Sequence, residues 1–278
     1  MLNNVTLPRS HCNCHFFATK HQASAATDSS MAVHQKIQAQ RYELKFIVQE
    51  SLRPRIRGFV SSYLELDANA SDDYSYPIHS LYLDSPGLHI YHGSINGDRN
   101  RYKLRVRYYD DLPTSPVFLE TKRKVCDVVH KQRCMVPRAA LRDVLAGDTT
   151  LLRPEALRDH MAFCHLMHQT NATPRAIVSY VREAWVSPHD NSVRVTMDRE
   201  VCVEPRFDLR LRTAMDKPVT VFPRQIVLEL KFTSRFPHWF RELVETFDLM
   251  QGGAAKYAGG LMLYGEQSFL RAPELQYA

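Results

Sequence analysis

Beyond about residue 40, apolar and polar residues alternate with period two along most of the chain. Tyr42, Leu44 and Phe46 alternate with Arg41, Glu43 and Lys45, which predicts a strand over 41–46 with one apolar and one charged face. The stretch 101–109 separates most sharply. Tyr102, Leu104, Val106 and Tyr108 fall on one side, and Arg101, Lys103, Arg105 and Arg107 on the other. Similar alternation predicts strands over 78–84, 117–124, 128–136, 173–186, 193–198 and 225–232. A short piece at 201–203 and a weaker strand over 207–213 complete the set. On these strands Phe118, Glu120, Lys122 and Lys124 share a face, as do Lys131 and Arg133. Tyr180 pairs in this sense with Arg182, Arg194 with Thr196 and Asp198, and Glu229 with Lys231.

Helical spacing falls between the strands, over 52–64, 88–95, 137–145, 154–168, 239–247 and 254–263. Pro54 and Pro137 sit where the first turn of a helix tolerates proline. Lys256 lies near the start of the last helix. Regular βαβ alternation and fixed-period repeats are both missing, so the strands are expected to pair antiparallel in an α+β fold. Residues 1–35 are polar and aperiodic and read as a disordered tail. The domain is expected over 36–268, with a C-terminal tail at 269–278.

A single strand with a charged face ordinarily turns that face to water. Here the charge is mostly positive and recurs on strand after strand. A chain of 278 residues should also bury much of its sheet on both faces. An antiparallel β-barrel or tunnel resolves the conflict: helices cover the outer apolar face, and the charged face lines the lumen. Buried cations demand compensating carboxylates or a bound polyanion. The formal net charge of +6 agrees with an anionic partner. Triphosphate and polyphosphate fit such a lumen, whereas duplex nucleic acid is too wide. The carboxylates on the same faces, Glu43, Glu120, Asp198 and Glu229, suit either ion pairing or a divalent metal.

Other chemistry is excluded or thinly supported. With only 10 glycines and neither G-x-x-x-x-G-K-[ST] nor G-x-G-x-x-G, a glycine-rich phosphate loop is not expected. Cys12, Cys14, Cys126, Cys134, Cys164 and Cys202 form no disulfide framework and read as cytoplasmic thiols. His11, Cys12, Cys14 and His15 are zinc-type ligands packed too closely to wrap a tetrahedron. Neither a membrane span nor a secretory signal is expected.

Seven stretches in order resemble a known family: Arg41-Tyr-Glu-Leu-Lys-Phe, Ser80-Leu-Tyr-Leu-Asp-Ser, Lys103-Leu-Arg-Val-Arg-Tyr-Tyr, Leu119-Glu-Thr-Lys, Val193-Arg-Val-Thr-Met-Asp, Val227-Leu-Glu-Leu-Lys-Phe and Lys256-Tyr. They are similar to the VTC domain, the polyphosphate polymerase branch of the triphosphate tunnel metalloenzymes (the CYTH-like superfamily). The resemblance spans about 40–264. It implies a β-tunnel and transfer of the γ-phosphate of ATP onto a growing polyphosphate chain, with manganese or magnesium. It implies that Lys45, Arg105, Arg107, Lys122, Lys131, Arg182, Arg194 and Lys256 bind phosphates. Arg105, Arg107, Lys122 and Glu229 would carry the catalysis, with Glu229 as the metal ligand. Lys231 and Arg133 are further additions.

Two departures shape the expectation. Hydrolases of the superfamily carry Glu-x-Glu-x-Lys on the first strand, and here Arg41 replaces the first acid. That favours a polymerase over an inorganic or nucleoside triphosphatase. Eukaryotic polymerases of this type also carry a phosphate-sensing domain and a membrane segment, and neither is recognisable here. A non-catalytic polyphosphate- or RNA-binding module is the remaining alternative, with Tyr109 and Tyr180 as its few aromatic platforms.

Overall fold

The alternating stretches become strands because each has one face to bury and one to keep polar. A computed structural model describes residues 41–126, 128–188, 192–233 and 235–270. The expected N-terminal tail, with Cys12 and Cys14, lies outside the described residues, as do residues 271–278 of the expected C-terminal tail, whereas Phe269 and Leu270 belong to the last helix and Phe269 is buried. In chain order the elements are β1 (Arg41–Gln49), α1 (Arg53–Val60), β2 (Glu65–Leu66), β3 (Ser75–Asp84), α2 (His89–Ile95) and β4 (Asn100–Tyr108). β5 (Val117–Val125), β6 (Val128–Val136), α3 (Leu141–Leu145), α4 (Leu157–Gln169), β7 (Thr173–Val186) and β8 (Val193–Pro205) follow. The rest are β9 (Val219–Thr220), β10 (Gln225–Thr233), α5 (His238–Thr246), α6 (Lys256–Tyr264) and α7 (Gln267–Leu270). Short 3-10 turns lead into α1, α3 and α4, and α3 and α4 therefore start four and three residues later than their sequence patterns.

The strands form one antiparallel sheet in the order β1-β10-β8-β7-β3-β4-β5-β6, with β2 on β7 and β9 on β8. No backbone ladder joins β6 to β1, so the tunnel is curled and not closed by hydrogen bonds. Its ends nevertheless meet. Lys122 on β5 donates to Glu43 on β1 at 2.8 Å, although five strands lie between β1 and β5 along the ladder. Gln251 and Gly252 occupy part of the outer edge of β1, where the Gly252 N–H donates to the Lys45 carbonyl at 3.0 Å.

Three apolar clusters hold the sheet. Ile56, Val60, Phe240 and Leu243 of α1 and α5 cover the outer faces of β1, β8 and β10. Leu141, Val144 and Phe163 of α3 and α4 cover β4, β5 and β6. Each such buried side chain contributes about 1.5–3 kcal/mol. The third cluster differs in kind. Tyr257, Ala258 and Leu261 of α6 pack on Ile78 and Tyr82 of β3, Val178 and Tyr180 of β7, and Val203 of β8. Tyr82 and Tyr180 are cross-strand partners of Arg105 and Ile78, so α6 lies over a stretch of the concave face itself. A glycine is required at 260 because a Cβ there would stand 2.4 Å from Val203.

Two sequence expectations are corrected. The weaker strand over 207–213 is irregular chain. Side chains satisfy its backbone instead of a ladder: Asp208 accepts from the Arg210 N–H at 2.9 Å, and Tyr108 donates to the Arg212 carbonyl at 2.7 Å. The pieces at 193–198 and 201–203 form one strand, β8, which holds Glu200 at φ 54° and slips register against β7.

Candidate active site

Register assembles the charged face. Lys45 lies opposite Glu229 and Glu43 opposite Lys231. Glu229 lies opposite Thr196, and Arg182 opposite Asp198. Across the sheet Arg105 faces Tyr82 and Glu120, and Lys103 faces Lys122. Lys122 in turn faces Lys131, and Glu120 faces Arg133. Paired residues share a side, so these groups line one concave surface.

Cations gather on that surface around two carboxylates. Glu120, 1% exposed, meets Arg105 at 2.7 Å, Lys131 at 2.9 Å, Arg133 at 3.5 Å and Arg107 at 3.6 Å. Glu229 accepts from Lys231 at 2.6 Å and from the Thr196 hydroxyl at 3.2 Å. Lys45, Lys256 and Arg182 approach it at 3.3, 3.5 and 3.7 Å. Between these centres Glu43 bridges Lys122 at 2.8 Å and Lys45 at 3.0 Å. Asp198 accepts two hydrogen bonds from Arg182, at 2.6 and 2.7 Å, and meets Lys256 at 2.8 Å.

The surplus of positive charge registers in the proton affinities. Burial opposes ionisation of Glu120, but Arg105 and Arg107 beside it hold it well below the usual carboxylate range. Burial likewise opposes ionisation of Glu229, and Lys231, Lys45 and Lys256 overcome it. The lysines pay the opposite way. Burial, against the pull of Glu120 and with the push of Arg105 and Arg107, lowers Lys131 to about 7. Burial lowers Lys231 to about 8 despite Glu229, and lowers Lys103 to about 8 despite Tyr82.

Of the residues singled out in the sequence, Lys45, Arg105, Arg107, Lys122, Lys131, Arg182, Lys256 and Glu229 come together around these carboxylates. Arg133 and Lys231 join them. Arg194 stands aside, donating to Asp67 at 2.6 Å and to the Tyr76 hydroxyl at 3.3 Å. Arg182 is locked in place by its two hydrogen bonds to Asp198. The sequence pattern missed Tyr82, whose hydroxyl accepts from Arg105 at 3.0 Å. Ile78, Ser80 and Tyr82 share a strand face without charge, and only their register beside β4 places Tyr82 at the site.

Among the described residues no three His, Cys, Asp or Glu side chains converge as a metal site. Two carboxylates fit a hard ion that brings its other ligands with it. Glu43 and Glu229 both contact Lys45 Nζ, at 3.0 and 3.3 Å, so the two carboxylates share one cation. Divalent ions on phosphates take one or two carboxylates and fill the remaining positions with phosphate oxygens and water.

An antiparallel tunnel with a cationic lumen around a few carboxylates defines a triphosphate tunnel protein. The chain matches the model of the VTC domain over residues 40–264 and belongs to that family. Among solved structures it is similar to a candidate adenylate cyclase from Bacillus halodurans, at 10% identity and a TM-score of 0.42, over 78% of this chain and 95% of that one. A candidate adenylate cyclase from Vibrio parahaemolyticus is similar at 10% identity and a TM-score of 0.41, over 80% of this chain and 98% of that one. Among the described residues no helix is long and apolar enough to cross a membrane.

Proposed function

We propose that this protein is a cytoplasmic polyphosphate polymerase that transfers the γ-phosphate of ATP onto inorganic polyphosphate. The observation that carries the reading is the lumen's excess of cations over carboxylates, which a polyphosphate chain would neutralise. Membership of the VTC family supports the same reaction. The free thiols at Cys126, Cys134, Cys164 and Cys202 support a reducing compartment.

In this reaction a terminal phosphate oxygen of the chain attacks the γ-phosphorus, and the β–γ bridging oxygen leaves with ADP. The nucleophile belongs to the substrate, so no serine, cysteine or histidine nucleophile is needed. The protein's task is positioning and stabilisation of charge on the transferring group. Arg105, Arg107 and Lys122 hold equatorial oxygens, and Lys45, Lys131, Arg182 and Lys256 hold the flanking phosphates. Arginine suits the bidentate contacts and lysine the point contacts. A bound manganese or magnesium ion supplies Lewis acidity to the phosphate oxygens, with Glu229 and Glu43 as the carboxylates that would hold it.

Incubating the protein with ATP and manganese and separating the products tests this reading. Long polyphosphate with ADP is the expected result. ADP with free phosphate alone would identify a triphosphatase, and binding without turnover a non-catalytic module.

Two further outcomes follow from the lumen. Arg105→Ala is expected to weaken tripolyphosphate binding by about 1.5–3 kcal/mol, the scale of one charge-assisted contact, read by calorimetry. Binding should also weaken as pH rises from 7 to 9. Lys131 and Lys103 lose their protons near 7 and 8, and only the protonated lysine attracts phosphate. Calorimetry in buffers of different ionisation enthalpy should therefore show proton uptake on binding near pH 8.

A further inference from the structure

At one end the concave face changes character. Arg105, Glu120 and Arg133 form one registered row across β4, β5 and β6, and the next row is Arg107, Phe118 and Met135. Tyr109, which follows β4, closes on this second row: its ring meets Phe118 edge-on at 6.0 Å with an interplanar angle of 74°. Two aromatic rings and an exposed methionine thus succeed the lysines and carboxylates.

Arg133 reaches from the charged row onto these rings. Its guanidinium carbon stands over the Phe118 ring at 3.6 Å from the centroid, the contact distance of two stacked planes. Two of its edges are engaged as well. Nε lies 3.5 Å from Glu120, and Nη2 donates to the Tyr109 hydroxyl at 3.1 Å. Ring, carboxylate and phenol together fix the plane. The side chain nonetheless stays 37% exposed, against 16% for Arg105, 10% for Arg182 and 6% for Arg107. With one face on Phe118, the broad surface left open is the other face of the guanidinium. The N–H donors lie in the plane, so that face offers stacking and not hydrogen bonds. Nucleobases stack on arginine planes as they do on aromatic rings.

We propose that the open face of Arg133, backed by Phe118 and Tyr109, stacks against the nucleobase of the ATP donor and so distinguishes a nucleotide from a bare triphosphate. This rests on reading the lumen as the ATP site. Lys131, which holds a flanking phosphate in that reading, is two residues from Arg133 on the same face of β6, about 6–7 Å along the strand. One ribose spans that interval between phosphate and base. A triphosphate lying among the lysines therefore brings its base to Arg133.

Calorimetric titration of the full chain with the β,γ-imido analogue of ATP and, separately, with tripolyphosphate tests the assignment. Arg133→Lys keeps the charge beside Glu120 and removes the plane. It is expected to weaken binding of the ATP analogue roughly 5- to 50-fold and to leave tripolyphosphate within about threefold of the wild type. Phe118→Leu, which removes the backing ring, should weaken the analogue roughly 3- to 10-fold and spare tripolyphosphate likewise. Equal losses for the two ligands in Arg133→Lys overturn the proposal, because Arg133 would then be one more phosphate contact. So does an Arg133→Lys variant that binds the analogue as tightly as the wild type. Failure of the wild-type protein to bind tripolyphosphate overturns the reading of the lumen instead, which separates the two.

Discussion

Glu229→Gln is expected to reduce ATP turnover by on the order of 10²–10³-fold while leaving the secondary structure intact. Glu229 sits where β10 faces β1 and β8, and its two oxygens are divided among neighbours. One oxygen receives Lys231 and Thr196, and the other approaches Lys45 and Lys256. Glutamine keeps the shape and removes the charge. The surrounding cations then lose their shared counter-ion, and phosphate oxygens bound nearby lose the geometry those cations hold. A divalent ion would lose one of its candidate carboxylates as well. Steady-state kinetics with ATP and manganese measures the effect. Full turnover in this variant would remove Glu229 from the reaction.

The second large effect falls on stability. Glu120→Gln is expected to destabilise the empty protein by about 3–5 kcal/mol, the cost of leaving buried charges without their partner. Arg105, Arg107, Lys131 and Arg133 all converge on this one carboxylate. Chemical denaturation without ligand reads the loss. Saturating tripolyphosphate should recover part of it, because an anion that binds only the folded state adds stability by mass action. The pH dependence has a defined sign. The folded pKa of Glu120 lies below its unfolded value, so its contribution is present above the ordinary carboxylate range and fades as pH falls toward the folded value. Unchanged stability in the variant would show that the four cations do not depend on Glu120.

Period-two alternation placed most of the sheet. The strand over 173–186 has the same bounds in the structure, and the charged side of 101–107 is the lumen side of β4. Facing is a local property: it follows from which residues alternate, so the residues that line the lumen were legible. Partnership is not local. Nothing near Lys122 in the chain points to Glu43, and the contact exists because the curl brings β5 to β1. Arg182 and Arg194 look alike as exposed-face arginines, yet one is bound to Asp198 and the other turned to Asp67. The segment 207–213 alternates as well as a weak strand does, but its backbone finds side-chain partners before it finds a neighbouring strand. Tyr82 was hidden for a related reason, since a tyrosine among apolar residues carries no charge signal until its cross-strand partner is known.

The place of β1 in the sheet sets a timetable for folding. Its only ladder partner among the named strands is β10, roughly 180 residues further along, and synthesis at about 5–20 residues per second delays that partner by about 10–40 s. During that interval the sequence 41–49 must wait beside a growing chain without a neighbour. The lumen can close only after the last long strand has been made, so the step that completes the wall is also the step with the largest loop to close. Glu43 and Lys45, which later hold the centre of the site, give the waiting strand a charged face that disfavours pairing with the wrong edge.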